Sequence, residues 1–145
     1  MKRILLLVLL AAGLSSFGQI RKLPAAVTET FKEKYPNASN VEWKDKLTLF
    51  VANFEDGGKK YEARFSNKGV WQQTEDEITE AELPAEVKEG LEKSKYAEWG
   101  KTTFYHIWLP KEQTQYRISV KKSDLQKKNL LFSNGGRLLK DNITL

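Results

Sequence analysis

Leu23, Val27, Phe31 and Tyr35 recur at every fourth position, with Thr28, Glu29, Lys32 and Glu33 between them. At 3.6 residues per turn this spacing holds the apolar side chains on one stripe, so it predicts an amphipathic helix of about three turns. Pro24 suits the first turn, where a missing N–H costs nothing, and Pro36 stops the helix one residue after Tyr35. The device is repeated further on: "LPAAVTETF" at Leu23 is echoed by "LPAEVKEGL" at Leu83, with Leu83, Val87 and Leu91 as the stripe. Gly90 weakens this second helix, which is expected to end near Lys95.

After each helix the period changes to two, the spacing of strands. "LTLFVANF" (Leu47 to Phe54), "KYEARF" (Lys60 to Phe65) and the stretch from Val70 to Thr74 are separated by the turn texts "EDGG" and "SNKG", which predicts an antiparallel meander. The second half follows the same grammar: "TTFYHIWL" (Thr102 to Leu109), "QYRISVKK" (Gln115 to Lys122), then strand, turn and strand in "LLFSNGGRLL" (Leu130 to Leu139). "FSNGG" echoes "FSNKG", and "EW" at Glu98 echoes "EW" at Glu42. These echoes lie at unequal separations, as in a diverged duplication, and two units are too few for a stacked array. The expected fold is α+β: two tandem copies of a helix packed on an antiparallel meander, forming one continuous sheet with both helices on one face. The expected boundaries are residues 19–82 for the first copy and 83–145 for the second.

Which face of each strand meets a helix decides what is left for binding. In the first strand, Phe50, Ala52 and Phe54 make the better helix seat, leaving Leu49 and Val51 on the far side. In "TTFYHIWL" the set Tyr105, Ile107 and Leu109 reads as the core set, which would leave Phe104, His106 and Trp108 on the far side. The helix-free face would then carry Leu49, Val51, Phe104 and Trp108, an exposed apolar group suited to binding a protein partner.

The N-terminus changes the picture of where this happens. Lys2 and Arg3 precede an apolar run from Ile4 to Leu14, and Ser16 and Gly18 follow; this is the layout of a secretory signal peptide, residues 1–18, cleaved to leave Gln19 first. The run is shorter than the ~20 residues that span a bilayer. No cysteine follows, so no lipid-attachment site exists, and the expected location is periplasmic or secreted with no membrane span in the mature chain. Without cysteine no disulfide framework can form, and packing alone must hold the core.

Charge adds little. Loss of Lys2 and Arg3 leaves a net charge of +3, and acidic and basic residues are mixed along the chain, which argues against nucleic acid as a partner. Lys121, Lys122, Lys127 and Lys128 cluster in a predicted hairpin or loop and read as a solvent-exposed, aggregation-resisting feature. The acidic run "TEDEITEAE", with Glu75, Asp76, Glu77, Glu80 and Glu82, reads as a solvated linker ahead of the second helix. His106 is the sole histidine, and "FYHIWL" gives it neither a nucleophile nor an orienting carboxylate, so no catalytic, metal or cofactor site is assigned. "NAS" at Asn37 and "NIT" at Asn142 match the glycosylation triplet, which would carry little meaning in the bacterial setting that the short signal-peptide layout favours. Trp43 and Trp99 are expected to pack between helix and sheet, whereas Trp108 is a candidate ligand contact.

"LPAAVTETFKEKYPNASNVEW", "FEDGGKKYEARFSNKGVW" and a second "LPAEV" unit ending in "FSNGGRLL" together resemble the PepSY-like family of secreted, beta-lactamase-inhibitor-like bacterial proteins. The likeness runs from Leu23 to about Leu139. The second copy departs from the pattern: it lacks "YP" and carries the lysine-rich insertion. The resemblance implies a helix on one face of an antiparallel sheet, an envelope or extracellular location, and a non-enzymatic role in binding a partner, including inhibition of an enzyme through the open sheet face. It transfers no site residues. The alternative expectation is a carrier or sensor of a small apolar or envelope-derived ligand; a hydrolase acting on the cell envelope lacks the groups it would need.

Overall fold

A computed structural model, which describes residues 22–143, holds two helices and eight strands among those residues. The expected signal peptide lies outside the described residues. In chain order the elements are α1 (Ala25–Lys34), β1 (Ser39–Asp45), β2 (Leu49–Asp56), β3 (Lys59–Ser66), β4 (Trp71–Ile78), a single 3-10 turn (Glu80–Glu82), α2 (Ala85–Glu92), β5 (Gly100–Leu109), β6 (Gln113–Lys121), β7 (Lys127–Ser133) and β8 (Leu138–Ile143). The strands form one sheet in sequence order, every neighbour antiparallel.

Both helices lie on one face, and the register demonstrates it. Phe54 pairs with Tyr61, Tyr61 with Asp76, Asp76 with His106, His106 with Tyr116, and Tyr116 with Phe132. Residues directly opposite one another share a face, so this is a single row of side chains across the sheet. Phe54, at one end, belongs to the core beneath α1, with Val27, Phe31, Phe50, Ala63 and Phe65. Phe132 and Tyr116, at the other end, belong to the core beneath α2, with Val87, Leu91, Ile118 and Leu130. The buried stripe of each helix, Val27 with Phe31 and Val87 with Leu91, follows the predicted spacing. Each such side chain stabilises the fold by about 1.5–3 kcal/mol through burial. Trp43 and Trp99 pack against the first and second core, respectively.

The echoed turns have a packing reason. Gly69, at φ +83°, sits so close to α1 that an added Cβ would lie 2.6 Å from the carbonyl oxygen of Ala26. Gly136, at φ +77°, does the same against the carbonyl of Glu86 in α2. In each half the glycine closing the "FSN" turn therefore rests on the residue before the buried valine of the "LPA" helix. Gly90 is explained in the same way: a Cβ there would overlap the carbonyl oxygen of Gly136, so the helix gives up propensity for close approach.

Three expectations need correction. The second helix ends at Glu92, earlier than Lys95, because Ser94 Oγ donates to the Leu91 carbonyl and accepts from the Tyr96 N–H, turning the chain so that Tyr96 is buried. No strand is predicted over Ser39–Asp45, where only Val41 and Trp43 face the core; β1 forms there as an edge strand, its register shifted between Ser39 and Glu42. The acidic run is not a linker along its whole length. β4 continues through Glu75 and Asp76 to Ile78, both carboxylates are buried, and this segment joins the halves by pairing with β5. Lys121, Lys122, Lys127 and Lys128 flank the β6–β7 turn; the first three are exposed and Lys128 is half-buried.

Candidate functional site

The four residues expected to share the helix-free face do not. Leu49 and Val51 lie there, alternating with the core residues Phe50 and Ala52, but Val51 is only 4% exposed. Phe104 and Trp108 lie on the opposite, helix-bearing face: Phe104 pairs with Ile118 and packs into the α2 core, and Trp108 follows it at the even positions of β5. Tyr105 and Ile107 point the other way. "TTFYHIWL" is apolar on both sides, so counting hydrophobic residues selects the wrong one. The neighbouring strand carried the better signal: in "QYRISV", Tyr116, Ile118 and Val120 alternate with Arg117, and antiparallel register transmits that polarity to β5.

The helix-free face holds a hollow of about 850 Å³ whose lining includes Asn53, Glu62, Arg64, Glu75, Tyr105 and Arg117. Its floor is an ion-pair network. Arg117 donates to both oxygens of Glu75, Nη1 to Oε2 at 2.8 Å and Nη2 to Oε1 at 2.6 Å, and both residues are buried. Arg64 donates through Nε to Glu62 at 2.9 Å and approaches Glu75 at 4.0 Å. The Arg117 guanidinium lies 4.3 Å from the centre of the Tyr105 ring. Burial works against the charge on Arg117, but the hydrogen bonds and charge of Glu75, aided by Tyr105 and Glu62, outweigh it and raise its pKa. The pair ties β4 to β6 at the floor of the hollow, where Arg117 Nε and Asn53 Nδ2 have no hydrogen-bond partner among the described residues.

The helix-bearing face has a cleft between the two cores. One hollow of about 670 Å³ is lined by Tyr35, Tyr61, Trp71, Thr74 and Trp108 among others. A second, of about 290 Å³, shares Tyr61 and Trp108 and reaches Lys59, Asp76, His106 and Tyr116. Thr74 accepts from Trp71 Nε1 at 2.9 Å and shares a short hydrogen bond with the Tyr35 hydroxyl. His106 stacks on Tyr116, with ring centres 5.0 Å apart, and lies 4.1 Å from Trp108. Burial raises the pKa of Asp76, against the opposing pull of Lys59, and burial with Lys59 lowers that of His106. The neighbourhood of Asp76 and His106 was not visible in the sequence, because the two stand thirty residues apart and come opposite one another only in the sheet.

A family model described as "Putative beta-lactamase-inhibitor-like, PepSY-like" matches residues 48–140. The chain belongs to the PepSY-like family. Solved structures place the PepSY-like chain among similar folds from Bacteroides. A BLIP-like protein from Bacteroides fragilis NCTC 9343 is 28% identical, with a TM-score of 0.73, covering 86% of this chain and 88% of that one. A DUF2874 family protein from Bacteroides ovatus ATCC 8483 is 27% identical, with a TM-score of 0.75 over 84% and 88%. A protein from Bacteroides eggerthii DSM 20697, described as "putative periplasmic", shares the fold at 24% identity and a TM-score of 0.74, over 84% and 89%. Curated protein sequences give no match. Among the described residues of this PepSY-like chain, no helix is long and apolar enough to cross a membrane, and no group of three or more His, Asp or Glu side chains could hold a metal ion.

Proposed function

We propose that the chain is a periplasmic or secreted binding module that engages a protein partner through the helix-free face, in the manner its inhibitor-like family suggests. The observation that carries this reading is the network of Arg117, Glu75, Arg64 and Glu62 under a half-buried Tyr105, a hydrogen-bonded polar surface left uncovered by either helix. Arginine and tyrosine are the residue types that dominate binding energy at protein interfaces, and an anchor whose base is already ordered loses little entropy on docking. Leu49, at the margin of this face, extends it; Val51 is buried and contributes shape alone.

The test is affinity capture from native envelope and culture-supernatant fractions by the processed chain, Gln19 to Leu145, beside folded Tyr105→Ala and Trp108→Ala variants. The expected result is one protein retained by the wild type and by Trp108→Ala, and lost or weakened by more than about 1 kcal/mol in Tyr105→Ala. Retention that depends on Trp108 and ignores Tyr105 would move the interface to the other face, and a wild type that retains nothing would remove the protein-binding reading.

A further inference from the structure

Two hydrogen-bonding atoms in the cleft between the cores have no partner among the described residues: Asp76 Oδ1 and His106 Nε2, both buried. Their residues face each other across β4 and β5, and both line the 290 Å³ hollow. Asp76 is 4% exposed. A buried carboxylate oxygen and an imidazole nitrogen with no protein partner are costly unless a hydroxyl, of water or of a ligand, bonds to them, so the hollow favours an occupant that can do so.

The surroundings narrow its chemistry. An apolar occupant would leave both atoms unsatisfied. A cation would meet the Lys59 ammonium, which stands 3.9 Å from Asp76 and 3.9 Å from Glu82. An anion would meet Asp76 and Glu82 themselves. A hydroxyl is both donor and acceptor, so it serves the carboxylate and either tautomer of the imidazole without adding charge. Beside these atoms stand two half-buried aromatic rings, Tyr61 and Trp108, 6.0 Å apart. The face of Trp71 is taken by Lys34, at 3.7 Å, His106 is stacked on Tyr116 and Tyr61 on Phe54, so Trp108 and the second face of Tyr61, which line both hollows, are the aromatic surface offered to a ligand in this part of the cleft.

A neutral molecule with hydroxyls on its edge and a flat apolar face is a sugar ring. We infer that the cleft between the two helix-covered cores is a saccharide-binding site, with the ring lying against Trp108 and Tyr61 and its hydroxyls bonded to Asp76 and His106. The adjoining 670 Å³ hollow, which shares both aromatic rings, receives the next sugar of an oligosaccharide. This site is on the opposite side of the sheet from the proposed protein-binding face and stands whether or not that reading holds.

The experiment is titration of the processed chain with a panel of neutral saccharides, comprising hexoses, N-acetylhexosamines, pentoses and their disaccharides. Binding is followed by tryptophan fluorescence and by chemical shifts of the indole N–H groups. Saturable binding by at least one member is expected, with the Trp108 indole among the shifted signals. Asp76→Asn preserves shape, removes the charge and replaces one of the two acceptor oxygens by a donor, and is expected to weaken that binding at least tenfold. Trp108→Ala is expected to abolish it and Trp108→Phe to retain part of it, while Tyr105→Ala on the far face leaves it unchanged. Circular dichroism establishes that each variant is folded. No saturable binding across the panel overturns the inference, as does binding that is indifferent to Asp76→Asn and Trp108→Ala or that is lost in Tyr105→Ala.

Discussion

Arg117 and Glu75 are buried on a face that no helix covers, which makes them the most consequential pair of residues in the molecule. Taking a guanidinium and a carboxylate out of water is expensive, and the bidentate geometry offsets that cost only while both partners are present. Arg117→Met should therefore lower stability by about 3–5 kcal/mol, because Glu75 is left buried and charged with only a hydrogen bond from Gln73 and the more distant Arg64 in place of its bidentate partner. The double replacement Glu75→Leu with Arg117→Met should recover most of the loss, since an apolar pair of similar volume avoids both desolvation penalties. Urea denaturation of the two single variants and the double variant measures the coupling directly; equal losses adding without recovery would show that the pair is not an isolated energetic unit. None of this was legible locally. "TEDE" reads as a solvated stretch because its charges are dense, and the arginine that reverses that reading lies two strands away, in a segment whose own pattern shows only that Arg117 opposes Tyr116 and Ile118.

Helices and hairpins were far more legible than faces. The four-residue spacing of Leu23, Val27, Phe31 and Tyr35, with prolines at both ends, predicts α1 almost to its observed limits, and the alternation in "KYEARF" predicts β3. The echo of "FSNKG" in "FSNGG" was visible too, although its cause is tertiary: each turn glycine lies against the first turn of its helix. Substitution separates the two demands on such a glycine. Gly58, at φ +79°, has open space where a Cβ would go, so Gly58→Ala should cost only the left-handed backbone strain, about 1–2 kcal/mol. Gly136→Ala carries the same strain and also drives a methyl group into the Glu86 carbonyl, so it should cost more, by a further 1–3 kcal/mol or so, as overpacking does. Thermal or chemical denaturation of the two variants gives the difference. Equal effects would mean that the β7–β8 turn moves away from α2 at little cost, and that the echoed motif reflects turn chemistry alone.

The sheet holds two separate apolar cores, yet neither half, at about 60 residues, buries enough surface to be more than marginally stable alone. What joins them is the β4–β5 pairing, with Arg117 of β6 reaching back to Glu75 of β4 on one face and Tyr61 meeting Trp108 on the other. Those connections are polar or aromatic and sit at the middle of the sheet, which is also where both candidate sites lie. Loss of either half would strip β4 or β5 of its neighbour and expose the buried Glu75 and Asp76, so the halves should unfold together. Leu91→Ala, in the core beneath α2 and 3% exposed in the wild type, is expected to cost about 2–5 kcal/mol. The informative readout is where that cost is felt. Native-state hydrogen exchange should show amides of β2 and β3, whose buried apolar residues Phe50, Ala52, Phe54, Ala63 and Phe65 belong to the α1 core, losing protection by the same free energy as those of β6 and β7. Unchanged protection in β2 and β3 would make the first half an independent unit, able to keep its fold while the second opens. In that case the cleft around Asp76 and His106, built from β4 and β5 together, would open with the weaker half, and ligand held there would stabilise the second half alone.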